Sequence, residues 1–226
     1  MQNIILLTGH TRNLALCADS IIKNLCIPND AKVIGFTYDN MGWWSKEDQE
    51  SDPNIKNIWH SALGDYLLKL NIRSITNLDI ERYERKILNN LILPGPEIPL
   101  QRTLQMLETW SFAIESLPEE IDKVILTRPD LFWHQIMYIS DIGLDVIGIE
   151  DEYDGNYFAG NYKDIKVFKK LYFDYINFCL KQNISSNFHN VLAKFLPVYC
   201  EKINLLDGNI SRFSILNSKN GSYRTV

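Results

Sequence analysis

The sequence lacks most of the short patterns that identify a class of protein directly. Its four cysteines form no Cys-x-x-Cys pair and show no cysteine–histidine spacing of the kind that binds zinc. It has neither the Gly-x-Gly-x-x-Gly of dinucleotide-binding folds nor the glycine-rich, lysine-containing loop that cradles nucleotide phosphates. No run of apolar residues reaches the roughly 18 that a membrane-spanning helix requires. These absences leave a reduced, cytoplasmic globular protein as the expectation.

Positive charge is scarce as well. The chain carries 23 lysine and arginine residues against 28 aspartate and glutamate residues, a formal net charge of −5. General nucleic-acid binders are rich in basic residues, so we expect no nucleic-acid partner. An anionic ligand would have to be held by a few local cations, because the field of the whole molecule repels it.

Apolar and aromatic residues, by contrast, are abundant. Of the 226 residues, 46% are hydrophobic and 12% are aromatic, which is enough to bury a core. No repeat or linker interrupts the chain. A single domain over residues 1–226 is therefore predicted.

Strand-like and helix-like segments alternate along the chain. Strands are predicted at 4–8, 32–38, 72–75, 123–127, 145–149, 156–160 and 202–206. Helices are predicted at 14–25, 62–70, 80–91, 100–116, 163–182 and 187–195. The polar residues 41–58 are expected to form an irregular surface loop. The alternation predicts an α/β fold with a mostly parallel central sheet flanked by helices.

The most informative segment is the strand predicted at 123–127 together with the residues after it. Apolar residues lead directly into Arg128-Pro129-Asp130, which places one cation and one anion at the end of a buried strand. Ligands of open α/β sheets bind beyond the carboxyl ends of the strands. Arginine presents a rigid fork of donors to phosphate oxygens, and aspartate binds divalent cations. The pair suits phosphate and metal chemistry, and a structural salt bridge is the alternative.

A second polar loop, Thr8-Gly9-His10-Thr11-Arg12, follows the first predicted strand. A glycine in a strand–helix turn lets a ligand approach the backbone, and the start of the next helix favours anions. A plain turn is the alternative, and His10 is either a phosphate or sugar contact or an ordinary loop residue. Both polar loops follow strands of one predicted parallel sheet, so we expect them to meet at the same edge.

Three further residues are candidates for this site. Asp154, in the acidic segment 150–154, is a candidate general base, and a solvated acidic loop is the alternative. Gly160 ends the strand predicted at 156–160, where a glycine often marks the close approach of a ligand. Gln101 begins the helix that precedes the Arg-Pro-Asp strand, and it faces either the cleft or solvent.

The order of these features resembles that of bacterial GT-A-type glycosyltransferases of surface-polysaccharide and lipopolysaccharide synthesis, over roughly residues 3 to 195. The shared features are a Gly-x-x-Arg loop after the first strand, an Arg-x-Asp after the central strand and the segment at 157–160. The sequence departs from the family at Arg128, which stands where the metal-binding Asp-x-Asp motif has its first aspartate.

The resemblance implies a GT-A-like, Rossmann-like fold and the transfer of a sugar from a nucleotide-sugar donor to a glycan, capsule or lipopolysaccharide precursor. Such a protein would work in the cytoplasm, in peripheral association with the inner face of the membrane. Asp130 and Asp154 would be catalytic, and Asp130 would also bind a divalent cation, Mg²⁺ or Mn²⁺. The donor-binding set would be Thr8, Gly9, His10, Arg12, Gln101, Arg128 and Gly160.

Two other functions stay open at this point. A non-catalytic GT-A-like subunit of a glycan-assembly complex would account for the absent first aspartate. A sugar nucleotidyltransferase shares a similar sheet, but its first loop is usually richer in glycine and basic residues than the loop at 8–12.

Overall fold

The computed structural model describes residues 2–41, 50–74, 100–141, 146–150, 157–182, 188–200, 202–206, 213–216 and 223–225. Its strands are β1 (Gln2–Thr8), β2 (Ala31–Tyr38), β3 (Leu67–Arg73), β4 (Ile121–Thr127), β5 (Leu131–Trp133), β6 (Val146–Glu150), β7 (Tyr157–Asn161), β8 (Lys202–Leu206), β9 (Phe213–Leu216) and β10 (Tyr223–Thr225). Its α-helices are α1 (Leu14–Ile21), α2 (Ile55–Leu63), α3 (Leu100–Glu115), α4 (Tyr162–Ile165), α5 (Val167–Gln182) and α6 (Phe188–Tyr199).

Seven strands form a central sheet in the order β3-β2-β1-β4-β7-β6-β8. Strands β1 to β4 are parallel to one another, β7 is antiparallel to both of its neighbours, and β6 and β8 are parallel. The four residues Ile4, Ile5, Leu6 and Leu7 are completely buried, as expected for a strand that is covered on both faces. The prediction of a mostly parallel central sheet flanked by helices is confirmed.

Helices cover both faces of this sheet. On one face, α3, α5 and α6 pack over alternate side chains of the central strands, including Leu6 and Phe36. On the other face, α1 and α2 pack over the intervening side chains, including Leu7 and Val33. Two buried faces fix the strand register, because a slip of one residue would exchange the two sets of side chains.

The segment between β2 and β3 differs from the prediction. An irregular loop is predicted at 41–58, but α2 begins within it at Ile55. Only three residues of α2 are buried, namely Ile55, Trp59 and Leu63. A stripe one residue wide in a polar segment carries little periodic signal, which explains the error.

The helix predicted at 62–70 is also wrong over its second half. The structure places β3 there, parallel to β2, with Phe36 opposite Asn71. The sequence Leu-Leu-Lys-Leu favours a helix locally, but pairing with a buried strand overrides that preference. The helix predicted at 80–91 lies outside the described residues.

The other predicted elements are close to those observed, with two differences in detail. The helix predicted at 14–25 is helical throughout, but after α1 it continues as a π-helix at 22–26 and a 3₁₀ turn at 27–29. Helix α6 extends to Tyr199, past the end predicted at 195, and it includes Pro197 in its last turn. Proline lacks the N–H that would bond to the carbonyl four residues earlier, so the last turn has one hydrogen bond fewer.

A second, three-stranded antiparallel sheet has the order β10-β9-β5. The sequence predicts no strand after residue 206, yet β9 pairs with β5 and β10 pairs with β9. Because β5 begins at Leu131, directly after Asp130, this small sheet holds the chain immediately beyond the Arg-Pro-Asp segment.

Candidate functional site

The strand order defines a crevice beyond the carboxyl ends of β1 and β4. In the sheet, β2 and β3 lie on one side of β1, and β4, the next strand along the chain, lies on the other side of β1. Ligands of open α/β sheets bind where the order reverses in this way. The loop at 8–12 follows β1, and Arg128 follows β4, so the two polar loops meet at this edge as predicted.

A compact ion cluster joins the two loops. Arg128 donates two hydrogen bonds to Asp130, from Nε to Oδ1 at 2.9 Å and from Nη2 to Oδ2 at 2.7 Å. Arg12 Nη1 lies 3.9 Å from Asp130 Oδ2. The Asp130 side chain is 6% exposed, whereas those of Arg12 and Arg128 are 22% and 33% exposed. The carboxylate is therefore buried, and the guanidinium groups reach the surface.

The charge state of Asp130 follows from this environment. Burial alone would raise its pKa, but the charges of Arg128 and Arg12 and the Arg128 hydrogen bonds hold the pKa below its ordinary value. The negative charge of Asp130 also affects Cys17, in the first turn of α1. Burial, followed by the charge of Asp130, raises the pKa of Cys17 to about 12. Cys17 is therefore a buried, protonated thiol of the core, and it is not a nucleophile.

The backbone of the first loop packs closely against the Arg-Pro-Asp segment. Gly9 has φ +125°, a conformation that side chains other than glycine rarely adopt. Its N–H donates to the carbonyl of Phe36 at 3.1 Å. A Cβ at Gly9 would lie 3.7 Å from Cδ of Pro129. The positive φ favours glycine at this position, whereas the 3.7 Å distance is an ordinary van der Waals contact that would leave room for a Cβ.

Helix α2 holds the same loop from one face of the sheet. Thr11 is fully buried, and its hydroxyl accepts a hydrogen bond from Trp59 Nε1 at 2.8 Å. The Thr11 and Thr37 hydroxyl oxygens are 3.2 Å apart. Thr11, which directly precedes Arg12, is thus held by hydrogen bonds to α2 and β2.

His10 is a neutral member of the loop. Its ring lies 4.9 Å from the ring of Tyr38, between centroids. Burial, followed by the charge of Arg12, lowers the pKa of His10 to about 3. His10 therefore adds no positive charge at neutral pH, and it can take part in hydrogen bonding only as a neutral imidazole.

Helix α3 fixes the edge from the opposite face. The hydroxyl groups of Tyr38 and Thr109 share a short hydrogen bond. Arg73, the last residue of β3, donates from Nη1 to Oε2 of Glu108 at 2.9 Å, and Tyr172 donates to Oε1 at 2.8 Å. Glu108 is 2% exposed, so this buried carboxylate has partners on both oxygens.

Thr8 and Gln101 also lie toward this edge. Thr8 ends β1, and its Oγ1 is buried with no hydrogen-bond partner among the described residues. It offers unused hydrogen-bonding capacity beside the first loop. Gln101 is in the first turn of α3, about two turns before Glu108, which bonds to Arg73 at the edge. The Gln101 backbone thus lies beyond that edge, and its side chain is outside the described residues.

The structure does not bring Gly160 to the cluster. Strand β7 runs antiparallel to β4, so Tyr157 pairs with Thr127 at the edge and Gly160 pairs with Val124 inside the sheet. Gly160 lies about 10 Å from Tyr157 along the strand. Asp154 lies outside the described residues, and its role as the base stays a prediction.

Two residues at this edge carry no functional role in the sequence-based interpretation. Arg73 ends β3, and Asp39 follows β2, where it accepts hydrogen bonds from Ser51 Oγ at 3.2 Å and from Ser74. An acidic residue that follows the second strand binds a ribose hydroxyl in many dinucleotide-binding folds. The position of Asp39 directly after the second strand could therefore have identified it from the sequence. Arg73 could be recognised as an edge residue only if the end of β3 were predicted correctly.

The residues do not fit the predicted divalent cation at Asp130. Mg²⁺ binds oxygen ligands at 2.0–2.1 Å in a nearly ideal octahedron. Both Asp130 oxygens are engaged by Arg128, and a cation beside them would be repelled by two guanidinium groups. No three His, Cys, Asp or Glu side chains come together as a metal site within the described residues. The placement of a metal on Asp130 stays a prediction, which these contacts do not favour.

Comparison by sequence gives no match. No family model matches the chain, and no curated protein matches it by sequence. Within the described residues, no helix has both the length and the apolar character to cross a bilayer. The functional argument therefore depends on the site itself.

Proposed function

We propose that this chain is a nucleotide-sugar-dependent glycosyltransferase with a GT-A-like fold. It would transfer a sugar from a nucleoside-diphosphate donor to a glycan, capsule or lipopolysaccharide precursor. The observation that carries the proposal is the convergence of Arg12 and Arg128 on buried Asp130, at the crevice where the strand order reverses. The sequence resemblance supports it through the Gly-x-x-Arg and Arg-x-Asp patterns, which contain the same three residues.

The chemistry that this arrangement serves is the departure of a diphosphate. The acceptor hydroxyl oxygen forms a bond to the anomeric carbon as the bond from that carbon to the diphosphate oxygen breaks. The leaving oxygen keeps the electron pair, and its charge needs fixed cations nearby. Arg12 and Arg128 supply that charge, and a carboxylate base accepts the hydroxyl proton in an inverting reaction. Asp154 is our candidate for that base.

The net charge of the molecule is compatible with this anionic substrate. Arg12, Arg128 and Asp130 together carry one net positive charge, concentrated at a partly dry edge. Interactions at such a site are stronger than in water because the local dielectric constant is lower. Local charge can therefore hold a diphosphate on a molecule whose formal charge is −5.

A thermal-shift screen of UDP-, GDP-, dTDP- and ADP-sugars tests the proposal. A ligand that binds only the folded state raises the free energy of unfolding, by about 2.7 kcal/mol when its concentration is 100 times Kd. The unfolding temperature rises as a result. We expect stabilisation by one donor class, followed by slow release of its nucleoside diphosphate with water as acceptor. Stabilisation without release in the presence of candidate acceptors would favour the non-catalytic subunit. No stabilisation by any nucleotide sugar would contradict the proposal.

A further inference from the structure

We infer that the outer face of α5 and α6 binds an anionic lipid surface, with its lysines at the head groups and Phe173 inserted between them. This surface, here called the lysine face, consists of the exposed residues Lys166, Lys170, Phe173, Lys181, Lys194 and Val198. The inference rests on how charge and exposed apolar side chains are distributed over the molecule, and it does not depend on the proposed function.

The residues of the lysine face on α5 lie on one side of that helix. Lys170, Phe173, Asn177 and Lys181 follow one another at spacings of three or four residues, and all four are exposed. Side chains at such spacings are neighbours on a helix surface. The opposite side of α5 packs into the core, so this stripe is the surface that the helix presents outward.

Helix α6 extends the same face. Lys170 Nζ lies 5.6 Å from the centroid of the Tyr199 ring, so the first turn of α5 lies beside the last turn of α6. Lys194 and Val198 are exposed and four residues apart, which places them on one side of α6. Val198 directly precedes Tyr199. The exposed surfaces of the two helices are therefore adjacent.

The lysine face is basic, whereas the chain as a whole is acidic. Six of the 23 basic residues, but only two of the 28 acidic residues, lie between residues 157 and 200. The two acidic residues are Asp164 and Asp174, and both are half-buried. Lys169, one of the six lysines, pairs with Glu115 of α3 at 2.7 Å. Positive charge is thus concentrated on one surface, which attracts an anionic partner to that surface.

Exposed apolar side chains lie among these lysines. Phe173 is 66% exposed and Val198 is 63% exposed. Phe173 is three residues from Lys170, and Val198 is four residues from Lys194. Apolar side chains on such a surface enter the boundary between head groups and acyl chains, while lysine ammonium groups stay at the anionic head groups. The face combines the two attractions that hold a peripheral protein on a bilayer.

The composition of the lysine face favours lipid over other acidic partners. The cores of protein–protein interfaces are depleted in lysine. Nucleic-acid recognition favours arginine, and residues 157–200 contain no arginine. Lysine is a compact charge on a flexible stem, which suits a fluid layer of head groups without fixed geometry.

Flotation of the full chain with vesicles tests the inference. We expect binding to vesicles of equal parts phosphatidylcholine and phosphatidylglycerol, and none to vesicles of phosphatidylcholine alone. Salt at about 1 M should release the chain, because the Debye length falls to about 3 Å. The double variant Lys170→Gln, Lys181→Gln should bind about tenfold or more weakly, since each lysine at an anionic surface contributes about fivefold.

Two exposed lysines elsewhere provide the matched control. Lys23 follows α1 and Lys56 lies in α2, on the other side of the sheet. The double variant Lys23→Gln, Lys56→Gln has the same net charge as the test variant and should bind as wild type does. Equal losses in the two double variants, or no loss in either, would overturn the inference.

The apolar contribution has its own pair of variants. Phe173→Ala should bind the anionic vesicles severalfold more weakly, whereas Leu16→Ala, at a 63% exposed position of α1, should match wild type. Equal binding by these two variants would overturn the insertion of Phe173. Retention of the chain on heparin without binding to the anionic vesicles would favour an acidic macromolecule and overturn the inference.

The inference and the proposed function fail separately. Vesicle binding by a chain that turns over no nucleotide sugar would contradict the proposed function alone. Donor turnover by a chain that binds no anionic vesicle would contradict the lysine face alone.

Discussion

At the scale of single residues, the site is built from charges and polar groups whose states are fixed by neighbours. Asp130 stays ionised because Arg128 and Arg12 compensate its burial. His10 stays neutral because burial and the nearby Arg12 disfavour its protonated form. One buried anion and two exposed cations are thereby maintained at the edge of the sheet over the physiological pH range.

The pKa of His10 predicts a specific loss of stability in acid. The folded-state pKa is about 3, against 6.5 for an unperturbed histidine. Below pH 6.5 the unfolded chain therefore binds a proton that the folded chain does not, so stability falls as pH falls from 6.5 toward 3. Between pH 7 and pH 5 we expect this group to cost at most about 2 kcal/mol.

Urea unfolding of wild type and His10→Gln at both pH values measures this contribution. His10→Gln should lose less stability than wild type between pH 7 and pH 5. His60→Gln, on the exposed surface of α2, is the matched control and should behave as wild type does. An equal loss in wild type and His10→Gln would show that His10 titrates normally.

At the scale of elements, position in the sheet decides which side chains reach the site. The meeting of the loop at 8–12 with Arg128 is predictable, because parallel strands end at one edge of a sheet. The exclusion of Gly160 is not predictable, because nothing in its short segment reveals that β7 runs antiparallel. Arg73 is missed for a related reason, since the predicted strand at 72–75 continues past it, whereas β3 begins at Leu67 and ends at Arg73.

Long-range hydrogen bonds that hold the chain after Asp130 are also beyond sequence-based inference. Asn24 donates to the carbonyl of Trp133 at 2.6 Å, and Asn29 donates to that of Met137 at 2.7 Å. Asparagine in a helical segment carries no signal of such distant partners. The segment beyond Asp130 is thus fixed by a helical region more than a hundred residues earlier in the chain.

Close packing of α2 against β2 predicts the effect of a single methyl group. A Cβ at Gly35 would lie 2.5 Å from Cζ3 of Trp59 and 2.7 Å from Cδ1 of Leu70. Gly35→Ala should destabilise the protein by about 1–3 kcal/mol, because overpacking forces these buried groups to move. Chemical denaturation measures the change.

A double-mutant cycle separates this clash from a general preference for glycine. In a Trp59→Phe background the cost of Gly35→Ala should be smaller, because two of the three closest atoms belong to the Trp59 ring. The same cost in both backgrounds would mean that Trp59 is not the obstacle.

At the scale of the whole molecule, the seven-stranded sheet is buried on both faces and carries Arg12 and Arg128 at one edge, on a chain whose formal net charge is −5. The crevice is where the strand order reverses, and its arginines come from both sides of that reversal. The fold class follows from the alternation of strands and helices in the sequence. The arrangement of charges requires the three-dimensional contacts, above all the paired bonds between Arg128 and Asp130.

The most direct test of the account is the kcat/KM for release of nucleoside diphosphate from the donor that the screen identifies. We compare wild type, Arg12→Gln, Arg128→Gln and the charge-matched control Lys169→Gln. Each arginine variant should lose about 100-fold or more, because preorganised charge at a leaving group contributes about 2.7–4 kcal/mol. Lys169→Gln should match wild type. Full turnover by Arg12→Gln and Arg128→Gln would contradict the account, because it would place the donor elsewhere on the molecule.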